Sequence, residues 1–129
     1  MKLIQSRDNA FFKQLKRLAE SGRERRKTAQ TLLDGVHLVE AYEKVYGPAA
    51  NLVVAESALA GGEIAAYVAE RQVVVLADAL MRDLGLVDTP SGLLAVAAMP
   101  KANATVDGKK DAILLDGVQD PGNVGTLLR

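Results

Sequence analysis

The sequence predicts an α/β protein, a mainly parallel sheet layered with helices. Three observations carry this. Short apolar runs of the buried-strand type alternate with stretches of helical periodicity, the order expected when crossover helices cover a sheet. Gly and Pro punctuate the boundaries, as at Gly47-Pro48, Gly61-Gly62 and Pro100. The chain has 129 residues, 49% apolar and 25% charged, enough to bury a core of its own.

The elements are expected in the following order. Ser6 and Asp8 are candidate caps for a first helix over Asn9–Ser21. Phe11, Leu15 and Leu18 recur at helical spacing, with Phe12 and Ala19 beside them. Gly22 breaks this helix, and the basic run Arg23-Glu24-Arg25-Arg26-Lys27 follows. Thr31–Gly35 reads as the first strand and its turn. A helix over Val36–Tyr46 should turn Leu38, Val39, Tyr42 and Val45 inward. Leu52–Ala55 is a second strand, and Ala58–Arg71 is mostly helical, interrupted at Gly61-Gly62. Val73–Leu76 is a third strand. Asp78 caps a short helix through Leu84, and Leu93–Ala97 is a fourth strand. Residues 101–110 are small, polar and without period, as in a linker.

Composition excludes several chemistries. There is no cysteine, hence no disulfide, thiolate metal site or cysteine nucleophile. The single histidine, His37, cannot build a multi-histidine metal centre and reads as a surface or capping residue. No apolar run approaches the roughly 18 residues of a membrane span, no signal-peptide core opens the chain, and a cytoplasmic location is the default.

The net charge of zero hides an asymmetry. Residues 1–27 hold nine Lys/Arg and three Asp/Glu; residues 28–129 hold seven and thirteen. A basic end on an acidic body suits a polyanionic partner. The candidate phosphate contacts are Arg7, Lys13, Lys16, Arg17, Arg23, Arg25, Arg26 and Lys27. The plainer reading of the run at 23–27 is a solvated turn.

The C-terminal stretch has a different chemistry. Ile113-Leu114-Leu115 has the composition of a buried strand. A loop with Gly117, Pro121, Gly122 and Gly125 follows, and Asn123 is a good cap for a helix from Val124. Neither a P-loop nor a G-x-G-x-x-G fingerprint is present.

Residues Leu115-Asp116-Gly117-Val118-Gln119-Asp120-Pro121-Gly122-Asn123-Val124-Gly125-Thr126-Leu127-Leu128-Arg129 resemble, almost without interruption, the first signature motif of the SpoU (TrmH-like) RNA ribose 2′-O-methyltransferases of the SPOUT class. Thr89-Pro90-Ser91-Gly92 resembles the signature closing that family's N-terminal substrate-binding domain, and Asp34-Gly35 stands where the family commonly carries Glu-Gly. The resemblance is loose over 1–87, firmer over 88–99 and strong over 112–129.

It implies a small three-layer α/β/α sandwich, like kink-turn-binding ribosomal proteins, followed by the first strand and loop of an incomplete SPOUT (trefoil-knot) domain. The domains would be residues 1–100 for RNA binding, 101–111 as linker and 112–129 as the start of the methyltransferase domain. The resemblance makes Asn123 and Arg129 the catalytic candidates, with Arg129 either helping to activate the 2′-hydroxyl or stabilising developing charge. It implies S-adenosylmethionine as cofactor of the parent enzyme, structured RNA as partner (ribosomal preferred to transfer RNA), and a homodimer formed through the missing C-terminal half.

The later cofactor motifs are absent from these residues. The chain is therefore expected to be part of a longer enzyme and to bind RNA without catalysis. No cofactor-binding residue and no metal site is assigned within it. Residues 104–129 are expected to be mobile or packed in a non-enzymatic way. A stand-alone RNA-binding module of the kink-turn type would account for residues 1–99 but not for 112–129. A nucleotide- or phosphate-binding protein using the Asp116–Asn123 loop is disfavoured by the missing fingerprints.

Overall fold

A computed structural model describes residues 2–101 and 105–129. Five strands form one sheet in the order β1-β4-β3-β5-β2. They are β1 (Lys2–Ile4), β2 (Gln30–Asp34), β3 (Asn51–Ala55), β4 (Val73–Leu76) and β5 (Leu93–Ala98). The helices are α1 (Ala10–Glu20), α2 (Gly22–Thr28), α3 (Val36–Tyr46), α4 (Gly62–Val68), α5 (Asp78–Asp83) and α6 (Pro121–Leu128), with a 3-10 turn at Glu56–Ala60.

The expected three layers are found, and strand alternation builds them. Val53, Leu94 and Val96 face one side with Phe12, Leu15 and Leu18 of α1 and with Leu80 and Met81 of α5. Leu52, Val54, Leu93 and Ala95 face the other side with Val36 and Val39 of α3 and Val68 of α4. Central strands covered on both faces need apolar residues at every position, as the runs at 52–55 and 93–97 supply.

The sheet is mixed where a mainly parallel one was expected. β1 pairs parallel with β4, and β4 with β3. β5 runs antiparallel to both β3 and β2. The chain leaves β4 at Leu76 and re-enters at that same end of the sheet, with Leu93 opposite Val54. The connection through α5 stays at that end, whereas the one from β3 to β4, which contains α4, crosses back and gives a parallel pair.

Several local expectations change. β1 was not anticipated, because three residues carry no readable period; it exists by pairing with β4. Asn9, not Ser6 or Asp8, caps α1, its Oδ1 accepting from the N–H of Phe11 and Phe12. Phe12 is buried and Phe11 only partly so. Leu38 (51% exposed) and Val45 (71%) of α3 point outward, and Val36 takes the inward role with Val39. Asp78 does not cap α5; its Oδ1 accepts from the N–H and Oγ–H of Ser57.

The run Ile113–Leu115 forms no strand, since no ladder partner lies beside it, and Leu114 is 92% exposed. The expected linker at 101–111 falls partly outside the described residues.

Ala29, which ends α2, sits at φ 53, the left-handed region where a Cβ is strained. Ala29→Gly should therefore stabilise the fold by about 0.5–1 kcal/mol, read from the urea midpoint. A lower midpoint would mean that the alanine side chain packs usefully there.

Candidate nucleic-acid interface

The basic surface is built on α1 and α2. Docking of Phe12, Leu15 and Leu18 fixes the roll of α1 and leaves Lys13 and Arg17 exposed. Ser21 then adopts an extended conformation, its N–H still bonded to the Arg17 carbonyl while its Oγ accepts from the Glu24 N–H. One residue thus ends α1 and caps α2, so Gly22 is the first residue of a new helix rather than a break. The basic run forms this helix, not a turn.

Helix α2 buries no side chain. It is held by side-chain bonds: Arg25 donates through Nη1 to the Leu18 carbonyl at 2.7 Å, and Thr28 Oγ1 to the Glu24 carbonyl at 2.9 Å. Arg25, Arg26 and Lys27 in its last turn oppose the carbonyl end of the helix dipole.

The eight cations fall into two sets. Four are engaged with the protein. Arg7 bonds Asp83 through Nε at 2.6 Å. Lys13 faces Asp8 at 3.7 Å. Lys16 pairs with Glu20 at 2.9 Å and donates to the Asp83 carbonyl. Arg25 caps the end of α1. The other four, Arg17, Arg23, Arg26 and Lys27, are exposed and have no carboxylate within 4 Å among the described residues. Surface ion pairs are weak and exchange readily, so the first set adds to the field without being removed from it.

The aromatic residues lie elsewhere. Phe11 and Phe12 belong to the core, and Tyr42, Tyr46 and Tyr67 stand on α3 and α4. The basic face therefore offers charge without a stacking platform for unpaired bases.

Asn123 and Arg129 are both exposed, on α6 and at its end. Asp120, not Asn123, caps this helix, accepting from the Gly122 N–H at 2.9 Å. The two candidates stand about 9 Å apart along the axis, and the Arg129 guanidinium folds back to Gly125, with Nη2 3.7 Å from where a Cβ of that residue would stand. His37 is exposed, with Nε2 3.3 Å from Glu63.

Thr89–Gly92 acts as a structural turn. Gly92 has φ +99, its carbonyl accepts from the Ala55 N–H at 2.8 Å, and a Cβ there would meet that of Ala58 at 3.1 Å. Ser91 closes on Leu93 and bonds the Asp34 carboxylate through its N–H. The turn lines a cleft of about 350 Å³ with Ser57, Asp78 and Arg82.

One polar cluster escaped sequence reasoning because its members are distant in the chain. Glu43 accepts from Arg71 at 2.8 Å, from the Tyr67 hydroxyl at 2.9 Å and from the Ala49 N–H at 3.1 Å. Arg71 also lies 4.1 Å over the Tyr67 ring. Burial alone would raise the Glu43 carboxyl, but the bonds from Arg71, Ala49 and Tyr67 outweigh it and hold it below the ordinary 4.5. Burial, with the hydrogen bond to Glu43, pushes Tyr67 up to about 12. The cluster ties α3 to α4 and lines a cleft of about 450 Å³ with Asn51 and Gln72.

A carboxylate whose pKa is depressed on folding stabilises the fold above its unfolded pKa of 4.5, and that contribution is lost as pH falls through the lower folded value. The urea midpoint of Glu43→Gln should lie below that of the wild type at neutral pH. The two should converge at pH values well under 4.5. A gap that stays constant with pH would exclude the charged form as the stabilising species.

Residues 9–95 match the family model described as an MRM3-like substrate binding domain. Over 129 residues the chain is 32% identical to the 23S rRNA (guanosine(2553)-2′-O)-methyltransferase RlmP of Bacillus subtilis (strain 168), covering all of this chain and 50% of that protein. A solved RNA 2′-O ribose methyltransferase superposes with a TM-score of 0.72 at 26% identity, over 98% of this chain and 50% of that one. The SpoU methyltransferase AviRb from Streptomyces viridochromogenes, solved with its cofactor AdoMet, gives a TM-score of 0.56 at 20% identity, over 74% and 35% of the two chains, a likeness of fold. The chain spans about half the length of the relatives it matches.

Proposed function

The chain belongs to the family of MRM3-like substrate-binding domains, and we propose that it is the RNA-recognition part of an RNA ribose 2′-O-methyltransferase dependent on S-adenosylmethionine. The observation that carries this is the cluster of carboxylate-free cations on α1 and α2, in a chain whose likeness to RlmP runs through all 129 residues. A stand-alone RNA-binding module would leave the likeness over 112–129 without a purpose.

The substrate is structured RNA, with ribosomal RNA preferred because RlmP is named for 23S rRNA. A face of cations without exposed aromatics suits the phosphates of paired segments better than unstacked bases. The domain division is residues 1–100 for recognition, 101–111 as linker and 112–129 as the start of the catalytic unit.

Asn123 and Arg129 belong to the chemistry of the whole enzyme. A guanidinium is a charged donor rather than a base, so the contribution of Arg129 would be to stabilise negative charge developing on the ribose oxygen. The residues present do not fit S-adenosylmethionine: positions 111–123 are exposed throughout and enclose nothing. The whole enzyme would be a cytoplasmic homodimer. Among the described residues no helix is long and apolar enough to cross a membrane.

Binding to a pool of ribosomal-RNA hairpins tests this reading. Each neutralised phosphate contributes roughly 0.7–0.9 to the salt slope. Reversing the charge of Arg17, Arg23, Arg26 and Lys27 should therefore abolish salt-sensitive binding while the chain still folds, with only the small loss of thermal stability that acids at the end of α2 bring. Equal binding by the wild type and the reversed variant would overturn it.

A further inference from the structure

We infer that Arg25 and Arg26 form a two-guanidinium fork over Gly22 that holds one phosphodiester group of the RNA. The inference rests on the RNA-recognition reading above and names the contact within it.

A Cβ built on Gly22 would lie 3.3 Å from Nη1 of Arg26 and 3.4 Å from Nη2 of Arg25. Both guanidinium ends close on the position of the missing side chain, so tightly that an added Cβ would make them give by a few tenths of an ångström. They are thereby held within about 7 Å of one another, a separation that one phosphate spans with charge-assisted hydrogen bonds to both. Gly22 is not among the glycines with positive φ, so its backbone does not demand glycine. At a helical position glycine is less favourable than alanine. Room for the two arginine ends is what the residue supplies.

Arg25 is fixed in place. Its Nη1 donates to the carbonyls of Leu18 at 2.7 Å and Ala19 at 3.4 Å, which leaves Nη2 directed to the junction. Arg26 is exposed. Neither has a carboxylate within 4 Å among the described residues. Two like charges brought together without an acid between them repel, and an anion bound by both reverses the sign of that term. The planar fork matches a phosphate bidentately, which an ammonium does not.

The test uses the full 129-residue chain and ribosomal-RNA hairpins at one salt concentration, with thermal melting to show that each variant folds. Gly22→Ala preserves charge and keeps the helix, but its methyl group occupies the floor of the fork. Arg26→Lys preserves charge and removes the fork geometry. Each should weaken binding about three- to tenfold. Arg23→Lys, outside the fork, should change it less than about twofold. Wild-type affinity in folded Gly22→Ala and Arg26→Lys, with binding still lost on charge reversal, would sink the fork and leave the RNA face standing. A wild-type chain that binds no hairpin at low salt would sink both.

Discussion

The placement of the basic surface depends on one contact, the seating of α1 on the sheet. Phe12, Leu15 and Leu18 are almost completely buried there, each worth roughly 1.5–3 kcal/mol of apolar burial. That seating decides which side of α1 meets water. It also places the Leu18 and Ala19 carbonyls, on which Arg25 anchors α2. Because α2 buries nothing of its own, it follows α1 as an attached piece. The same contact thus acts first on stability and then on the geometry of the charges.

A second part of the sheet is organised by a chain reversal. The connection through α5 stays at the end where β4 finishes, so β5 enters antiparallel between β3 and β2. Gly92 and Ser91 make that reversal possible through positive φ and two bonds to Leu93. Thr89–Gly92 is therefore explained by folding.

Much of this was legible in the sequence where punctuation and period agree. α3 runs over Val36–Tyr46 as read, because Gly35 and Gly47-Pro48 mark both ends. β4 matches Val73–Leu76 for its compact apolar run. What could not be read depends on partners distant in the chain: β1 on β4, the roll of α3 on its seating against Leu52, Val54 and Val68, the Glu43 cluster on residues 24 and 28 positions away. Helix α2 was hidden for another reason, since a run of charges without apolar period looks like a turn until Ser21 and Arg25 are seen to hold it. The candidate cations were legible as a group, but their division into engaged and carboxylate-free sets was not, because it turns on Asp83 and Asp8.

The central proposal is that a chain recognisable by its stretch at 115–129 engages RNA through its other end. Mapping backbone amide shifts of the isotope-labelled chain during titration with a ribosomal-RNA hairpin tests it most directly. The account predicts perturbations concentrated between Arg17 and Thr28, with little change over residues 112–129. Perturbations centred on Ser57, Asp78 and Ser91, or on α6, with α2 silent, would contradict it.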